Sequence, residues 1–177
     1  MSTLFLVEAA PAQNADALAT LADIDARVST RGAQLIEAQV TTGGRLFAIV
    51  EAESSSVVVE ALEGIDADVS DPAPVRLVGA DLADIKAAKP EAGYLVEWDI
   101  PEGISMDTYL ERKAAKTPLY ANVPEVAFLR TYVREDMQKC LCFYDGPDEA
   151  AIERARDAVS TPIDRLHVIA PFPAVVR

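Results

Sequence analysis

The chain is poor in the residues that usually announce chemistry. Its 177 residues include one histidine, two cysteines and one tryptophan. No serine–histidine–acid set falls on a strand-turn-helix elbow. A closed zinc site has no paired ligands to draw on, because no spaced Cys or His pair accompanies Cys140 and Cys142. No apolar run approaches the roughly 20 residues of a membrane-spanning helix. A strand-like segment begins at residues 4–7 with no basic stretch before it, so no signal peptide is expected. Basic residues are also short: 16 Lys and Arg stand against 29 Asp and Glu, a formal net charge of −13. No basic stripe compensates, so a nucleic-acid backbone or an anionic membrane would repel the chain.

The other scarce motifs are quickly read. Cys140 and Cys142 are two apart on a strand, about 6–7 Å from each other and too far for an unstrained disulfide. Free thiols fit a reducing, cytoplasmic setting. With Lys139 as the only basic neighbour in sequence, they read as small core residues rather than nucleophiles. Gly43-Gly44 sits in a hairpin and is too short for a phosphate loop. The acidic run Asp66-Ala67-Asp68-Val69-Ser70-Asp71 lacks the glycine and final glutamate of a calcium loop and reads as a solvated loop.

What is present is a repeat. Phe5-Leu6-Val7-Glu8-Ala9-Ala10-Pro11 returns as Tyr94-Leu95-Val96-Glu97-Trp98-Asp99-Ile100-Pro101: an apolar strand with one glutamate, ending at proline. Helical patterns follow over residues 14–31 and 105–116, with Asn14 and Ser105 as candidate N-caps. In the second, Tyr109, Leu110 and Lys113 lie at helical spacing. Paired strands come next, 34–40 with 45–52 around a glycine turn, and 126–134 with 139–145. Second helices cover 55–65 and 148–159, and closing strands 75–79 and 165–170. The order β-α-β-β-α-β, twice, predicts an α+β fold of two tandem ferredoxin-like units. The expected domains are 1–80 and 92–177, joined by a linker over 81–91. A half of about 85 residues leaves one sheet face bare, so the two sheets are expected to pack face to face as an intrachain pseudo-dimer, an α+β barrel. That predicts a monomer, or a homodimer if the pseudo-dimer pairs again.

Strand alternation then nominates a site. The more apolar faces should meet the helices. The mixed faces carry Glu97, Arg130, Tyr132, Cys142, Tyr144 and His167 (with Arg165) in the second half, and Glu8, Glu37, Gln39 and Arg76 in the first. Such a set could line a partly polar cavity for a small molecule or a metal ion between the sheets. The plainer reading makes Glu8 with Arg76, and Glu97 with Arg130 or Arg165, buried ion pairs.

In the second half, Tyr94-Leu95-Val96-Glu97, the strand Phe128-Leu129-Arg130-Thr131-Tyr132-Val133, the run from Lys139 through Cys142 to Gly146-Pro147-Asp148-Glu149, and Thr161-Pro162-Ile163-Asp164-Arg165-Leu166 occur in an order that resembles a family of small ferredoxin-like proteins of undetermined function, termed nickel-binding after one bacterial member. The resemblance spans residues 93–169, and the first half looks like a diverged copy. It implies nickel as a ligand, with Cys142 matching the cysteine of the family's third strand. This chain departs from the pattern at Arg154-Ala155-Arg156-Asp157-Ala158-Val159-Ser160-Thr161-Pro162, which has no histidine where ligand histidines would stand. The expectation is therefore a non-catalytic small-molecule or metal-ion binding protein. The alternatives are a cofactor-independent oxygenase or isomerase that uses Glu97 as proton carrier with Tyr132 and His167, and an interaction module without a ligand.

Overall fold

The computed structural model describes residues 1–13, 15–88 and 92–171. The first half runs β1 (Thr3–Pro11), α1 (Ala17–Thr30), β2 (Gln34–Val40), β3 (Leu46–Ala52), α2 (Ser55–Leu62), β4 (Ala67–Val69), β5 (Ala73–Val78) and α3 (Leu82–Ala88). The second runs β6 (Tyr94–Asp99), α4 (Met106–Lys116), a 3-10 turn at Thr117–Asn122, β7 (Ala127–Arg134), β8 (Lys139–Asp145), α5 (Glu149–Ala158) and β9 (Arg165–Val168). The chain is α+β, and each half carries the β-α-β-β-α-β order of a ferredoxin-like unit. Two compact units result: Met1–Val75 with Leu82–Pro90 and Ala170–Arg177, and Arg76–Asp81 with Glu91–Ile169.

Within the first unit, β1 is flanked by β3 on one side and by β4 and β5 on the other, with β2 outside β3, all antiparallel. The second unit repeats the plan, with β8 and β9 flanking β6 and β7 outside β8. Three elements were not legible in the sequence, the 3-10 turn at Thr117–Asn122 being one. Ala67–Val69, inside the acidic run expected to be a loop, pairs with Ala9–Pro11 of β1. The stretch expected to be a plain linker contains α3, whose Ile85 is buried.

Each unit buries one sheet face under its helices. In the first, Leu21, Ile24 and Val28 of α1 and Val58, Ala61 and Leu62 of α2 pack on Phe5, Val7, Leu46, Ala48 and Val50. In the second, Tyr109 of α4 and Ala151, Ile152 and Ala155 of α5 pack on Val96, Val133, Cys140, Cys142 and Tyr144. The helices begin at residues whose side chains accept a backbone N–H. Asp16 Oδ1 takes Leu18 N at 3.0 Å, Ser105 Oγ takes Thr108 N at 3.2 Å, and Asp148 Oδ1 takes Ala151 N at 2.8 Å. Each cap is worth about 1 kcal/mol. Ser105 caps as the sequence indicates; Asn14, the other expected cap, lies outside the described residues.

Gly79 follows β5 with a φ of +87°, and a Cβ there would stand 2.9 Å from the Phe128 ring. That ring stacks on Tyr120 at 5.3 Å, so it has little room to yield. Gly44 also has a positive φ, +84°, but a Cβ would meet nothing within 4 Å. Gly79→Ala should therefore cost about 2–3 kcal/mol and Gly44→Ala about 1 kcal/mol, as read from urea unfolding midpoints. Equal losses would mean that the Phe128 contact is not a constraint.

Candidate functional site: a cationic pocket in the second unit

The sequence-nominated residues do not lie together. The β6–β8 register sets Val96 opposite Cys142 and Glu97 opposite Leu141. Residues directly opposite in an antiparallel pair share a face, so Cys142 and Tyr144 belong to the helix-covered side and Glu97 to the other. Grouping Cys142 and Tyr144 with Glu97 was incorrect. A bulge between Phe128 and Arg130 adds a further phase change. It puts Phe128 opposite Tyr144 and Arg130 opposite Phe143, on different faces, where strict alternation had kept them together. Arg130, Tyr132 and His167 do share the Glu97 face. Glu8 belongs to the first unit, where Arg45 Nη2 donates to its Oε1 at 3.1 Å.

The Glu97 face is a closed ion-pair network. The Glu97 carboxylate is 2% exposed; it accepts Lys139 Nζ at 2.6 Å on Oε1 and Arg165 Nε at 2.8 Å on Oε2. His167 Nε2 lies 2.7 Å from the same Oε2. Arg165 also grips Asp99 with both Nη atoms, at 3.0 and 2.5 Å. Arg165 is thus the partner the ion-pair reading foresaw. Arg130 sets its guanidinium 4.7 Å from the Phe143 ring centroid, and Arg76 pairs with Glu135. Burial alone would raise the Glu97 pKa, but the hydrogen bonds from Lys139, His167 and Arg165 outweigh it and hold it at about 2. A proton carrier needs a pKa near the working pH, so the role expected of Glu97 as an acid or base does not hold.

The helix-covered side holds a pocket of about 110 Å³ that sequence reading missed. Helix α4 presents Tyr109, Arg112, Lys113 and Lys116 to it, at i, i+3, i+4 and i+7. That spacing is one helical face, and only Tyr109 and Lys113 of these four had been noticed, as a pattern with Leu110. Trp98, Cys140 and Cys142 line it from the sheet, Tyr120 from the 3-10 turn and Arg156 from α5. Arg156 occupies a core position: α5 buries Ala151, Ile152, Ala155 and Arg156. An arginine on an otherwise apolar helix stripe was the signal available in the sequence.

Arg156 is 3% exposed. Its Nη1 donates to Tyr144 Oη at 3.1 Å and to Cys142 Sγ at 3.6 Å, and its Nη2 to the Pro162 carbonyl at 2.7 Å. Nε is a buried donor without a hydrogen-bond partner among the described residues. Tyr144 Oη lies 2.6 Å from Tyr120 Oη. Cys142 Sγ also accepts from Thr131 Oγ1 at 3.3 Å and lies 3.9 Å from Cys140 Sγ. The sulfurs are closer than strand spacing alone suggested, because the side chains converge above the strand. The Cys140 thiol beside it, with Lys113, Arg156 and Thr131, pulls the Cys142 pKa well below the usual thiol range against the opposing effect of burial. Cys140 is pushed up, first by its contact with Cys142 and then by burial. The basic neighbours that seemed to be lacking come from α4 and α5, while Lys139 faces the other side.

These features belong to a ferredoxin-like α+β protein. The crystal structure of TA0507, a protein provisionally named a chlorite dismutase, matches with a TM-score of 0.56 over 96% of this chain and 95% of that one, at 14% identity. At that identity the likeness speaks to the fold alone. FN1347 of Fusobacterium nucleatum, provisionally named a monooxygenase, matches at a TM-score of 0.46 and 10% identity, over 95% of this chain and 91% of its own. SCO4226 from Streptomyces coelicolor A3(2) matches at a TM-score of 0.40 and 19% identity, over 47% of this chain and all of its own. Residues 94–169 match the family described as nickel responsive protein SCO4226-like, the segment in which the resemblance was read. No curated protein matches the chain.

The family's name raises nickel, and the donors here do not fit it. Among the described residues no group of three His, Cys, Asp or Glu side chains converges on one point. The thiols stand beside a guanidinium and face lysines, which oppose a dication, and the histidine ring nitrogen lies on Glu97.

The Glu97 network makes a pH prediction. Its folded pKa of about 2 lies below the ordinary 4.5, so its stabilisation is fully present above pH 4.5 and is lost as pH falls toward 2. The difference corresponds to about 3 kcal/mol. Glu97→Gln should lower stability by about that much at pH 7, and the gap from wild type should close between pH 4.5 and 2 in urea titrations. A gap that does not change with pH would show that the carboxylate charge is not what the network stabilises.

Proposed function

We propose that the second unit binds a small, singly charged organic anion with a flat apolar body, and does so without turning it over. The observation that carries this is the buried Arg156 lining a pocket whose cations are Arg112, Lys113, Lys116 and Arg156 and whose lining, among the described residues, includes no carboxylate. In a chain of net charge −13, four convergent cations are a local reversal of sign that solubility does not require. The ring walls add the second half of the specificity. Trp98 and Tyr109 lie roughly parallel, with centroids 6.2 Å apart, and Tyr120 also lines the space. A volume of about 110 Å³ is of the order of the ~150 Å³ cavity that accepts benzene, so the body of the ligand is about one ring. A carboxylate on such a ring is matched by arginine's planar fork.

The ligand seat is therefore on the helix side of the sheet, not on the Glu97 face where the sequence pointed. Catalysis by Glu97, Tyr132 and His167 has no support in a carboxylate held ionised by three donors. The described residues include no helix long and apolar enough to cross a membrane, and the ligand class proposed here is water-soluble.

Benzoate and its neutral isostere benzamide separate charge from shape. Benzoate should raise the melting temperature and give a calorimetric isotherm that weakens with added salt, while benzamide binds at least about tenfold less well. The double substitution Arg112→Ser with Lys116→Ser changes exposed and half-buried side chains, and should cut benzoate affinity about tenfold without loss of the fold. Equal binding of the two probes, or no binding of either, would sink the proposal.

A further inference from the structure

The same pocket contains a second chemistry that does not depend on the anion. We propose that Cys142 is a nucleophilic thiol that small hydroperoxides oxidise through the pocket, and that Cys140 resolves the product to an intrachain disulfide. Four observations place the parts. Both cysteines line the pocket, each only 1% exposed, so the pocket is the path by which a molecule as small as hydrogen peroxide would approach them. Cys142 Sγ accepts from Thr131 Oγ1 at 3.3 Å and Arg156 Nη1 at 3.6 Å, and the neighbouring thiol sulfur lies 3.9 Å away. Donors of this kind stabilise a thiolate over a thiol, and the thiolate is the attacking form. Arg156 and Lys113, both lining the space, are placed to stabilise negative charge on a departing oxygen. Cys140 Sγ waits 3.9 Å away on the same strand face.

The steps balance as follows. The Cys142 thiolate sulfur attacks the terminal oxygen of the hydroperoxide, forming an S–O bond as the O–O bond breaks. Cys142 becomes a sulfenic acid, oxidised by two electrons, and the peroxide is reduced to an alkoxide or hydroxide that takes a proton from solvent. The Cys140 thiol then gives up its proton and attacks the Cys142 sulfur. The S–S bond forms, the S–O bond breaks, and water leaves with that proton. Two residues apart on one strand, the cysteines sit near the upper limit of Cα spacing for a disulfide. A bridge there is strained, and strained bridges are readily reduced by ordinary thiols. The reaction is thus reversible, as a peroxide-responsive modification requires.

Intact-mass measurement on the full chain tests this. After brief exposure to dilute hydrogen peroxide, the wild-type protein should lose two hydrogens, with the change reversed by dithiothreitol. It should react at least about tenfold faster than the same chain unfolded in urea, because the folded pocket supplies the thiolate. Cys140→Ser should stop at the gain of one oxygen and be trapped by dimedone at Cys142; Cys142→Ser should stay unmodified on that timescale. Folded wild type reacting no faster than the unfolded chain would overturn the inference with no variant needed. So would Cys142→Ser oxidising at Cys140 as fast as wild type. Neither result bears on benzoate binding, so the two proposals fail separately.

Discussion

A buried guanidinium is among the costliest groups to place inside a protein, and the second unit is organised around one. Arg156 sits on the stripe by which α5 packs on its sheet, a position where the helix pattern calls for an apolar residue. Removing such a charge from water costs several kcal/mol unless partners replace the lost hydration. The partners come from three places: the Pro162 carbonyl after the helix, the Tyr144 hydroxyl and the Cys142 sulfur on β8. Each constrains something. Pro162 fixes the turn into β9, Tyr144 ties through Tyr120 to the segment after α4, and Cys142 supplies a sulfur acceptor. The pocket follows from this arrangement, since Arg156 lines it together with one face of α4.

The two faces of this sheet solve opposite problems. On one, a buried anion, Glu97, is met by Lys139, Arg165 and His167 until its oxygens are well supplied. On the other, a buried cation is met by neutral oxygens and a sulfur, with one N–H unpartnered. A saturated network is inert: its donors and acceptors already have partners, and its carboxylate is too weak a base for proton transfer near neutral pH. An under-supplied cation beside an opening is the reverse case. That asymmetry, more than burial or pKa alone, separates the structural cluster from the one proposed to bind a ligand.

Much of the fold was readable because it depends on periodicity. Turn signals, alternation and the returned strand with its glutamate placed nearly all the strands and four of the helices. What was lost depends on phase and on long-range neighbours. A one-residue bulge at Leu129 reverses which side the following residues face, and no local signal marks it. Cys142 looked poor in basic neighbours because Lys113 and Arg156 are distant in sequence and arrive through helix packing. Ala67–Val69 became a strand despite its aspartates because β1 had an open edge beside it, a tertiary demand that overrides composition. The pocket's own signature was present, as Tyr109, Arg112, Lys113 and Lys116 on one face of α4 and an arginine in the α5 stripe. Each half of that pattern is ordinary by itself, and only the packing of α4 and α5 on the same sheet joins them.

The sign of the whole chain bears on the ligand proposed for the pocket. A net charge of −13 repels anions at long range, but at physiological salt that field fades over about 8 Å. The lining cations act inside that distance and in a partly dry space where charge interactions are stronger. A polyanion extends beyond the pocket and meets the acidic surface, whereas a small monoanion is covered by the cations once inside. Long-range repulsion and local attraction together favour one charge on a small body, the ligand that the volume and the aromatic walls favour on independent grounds.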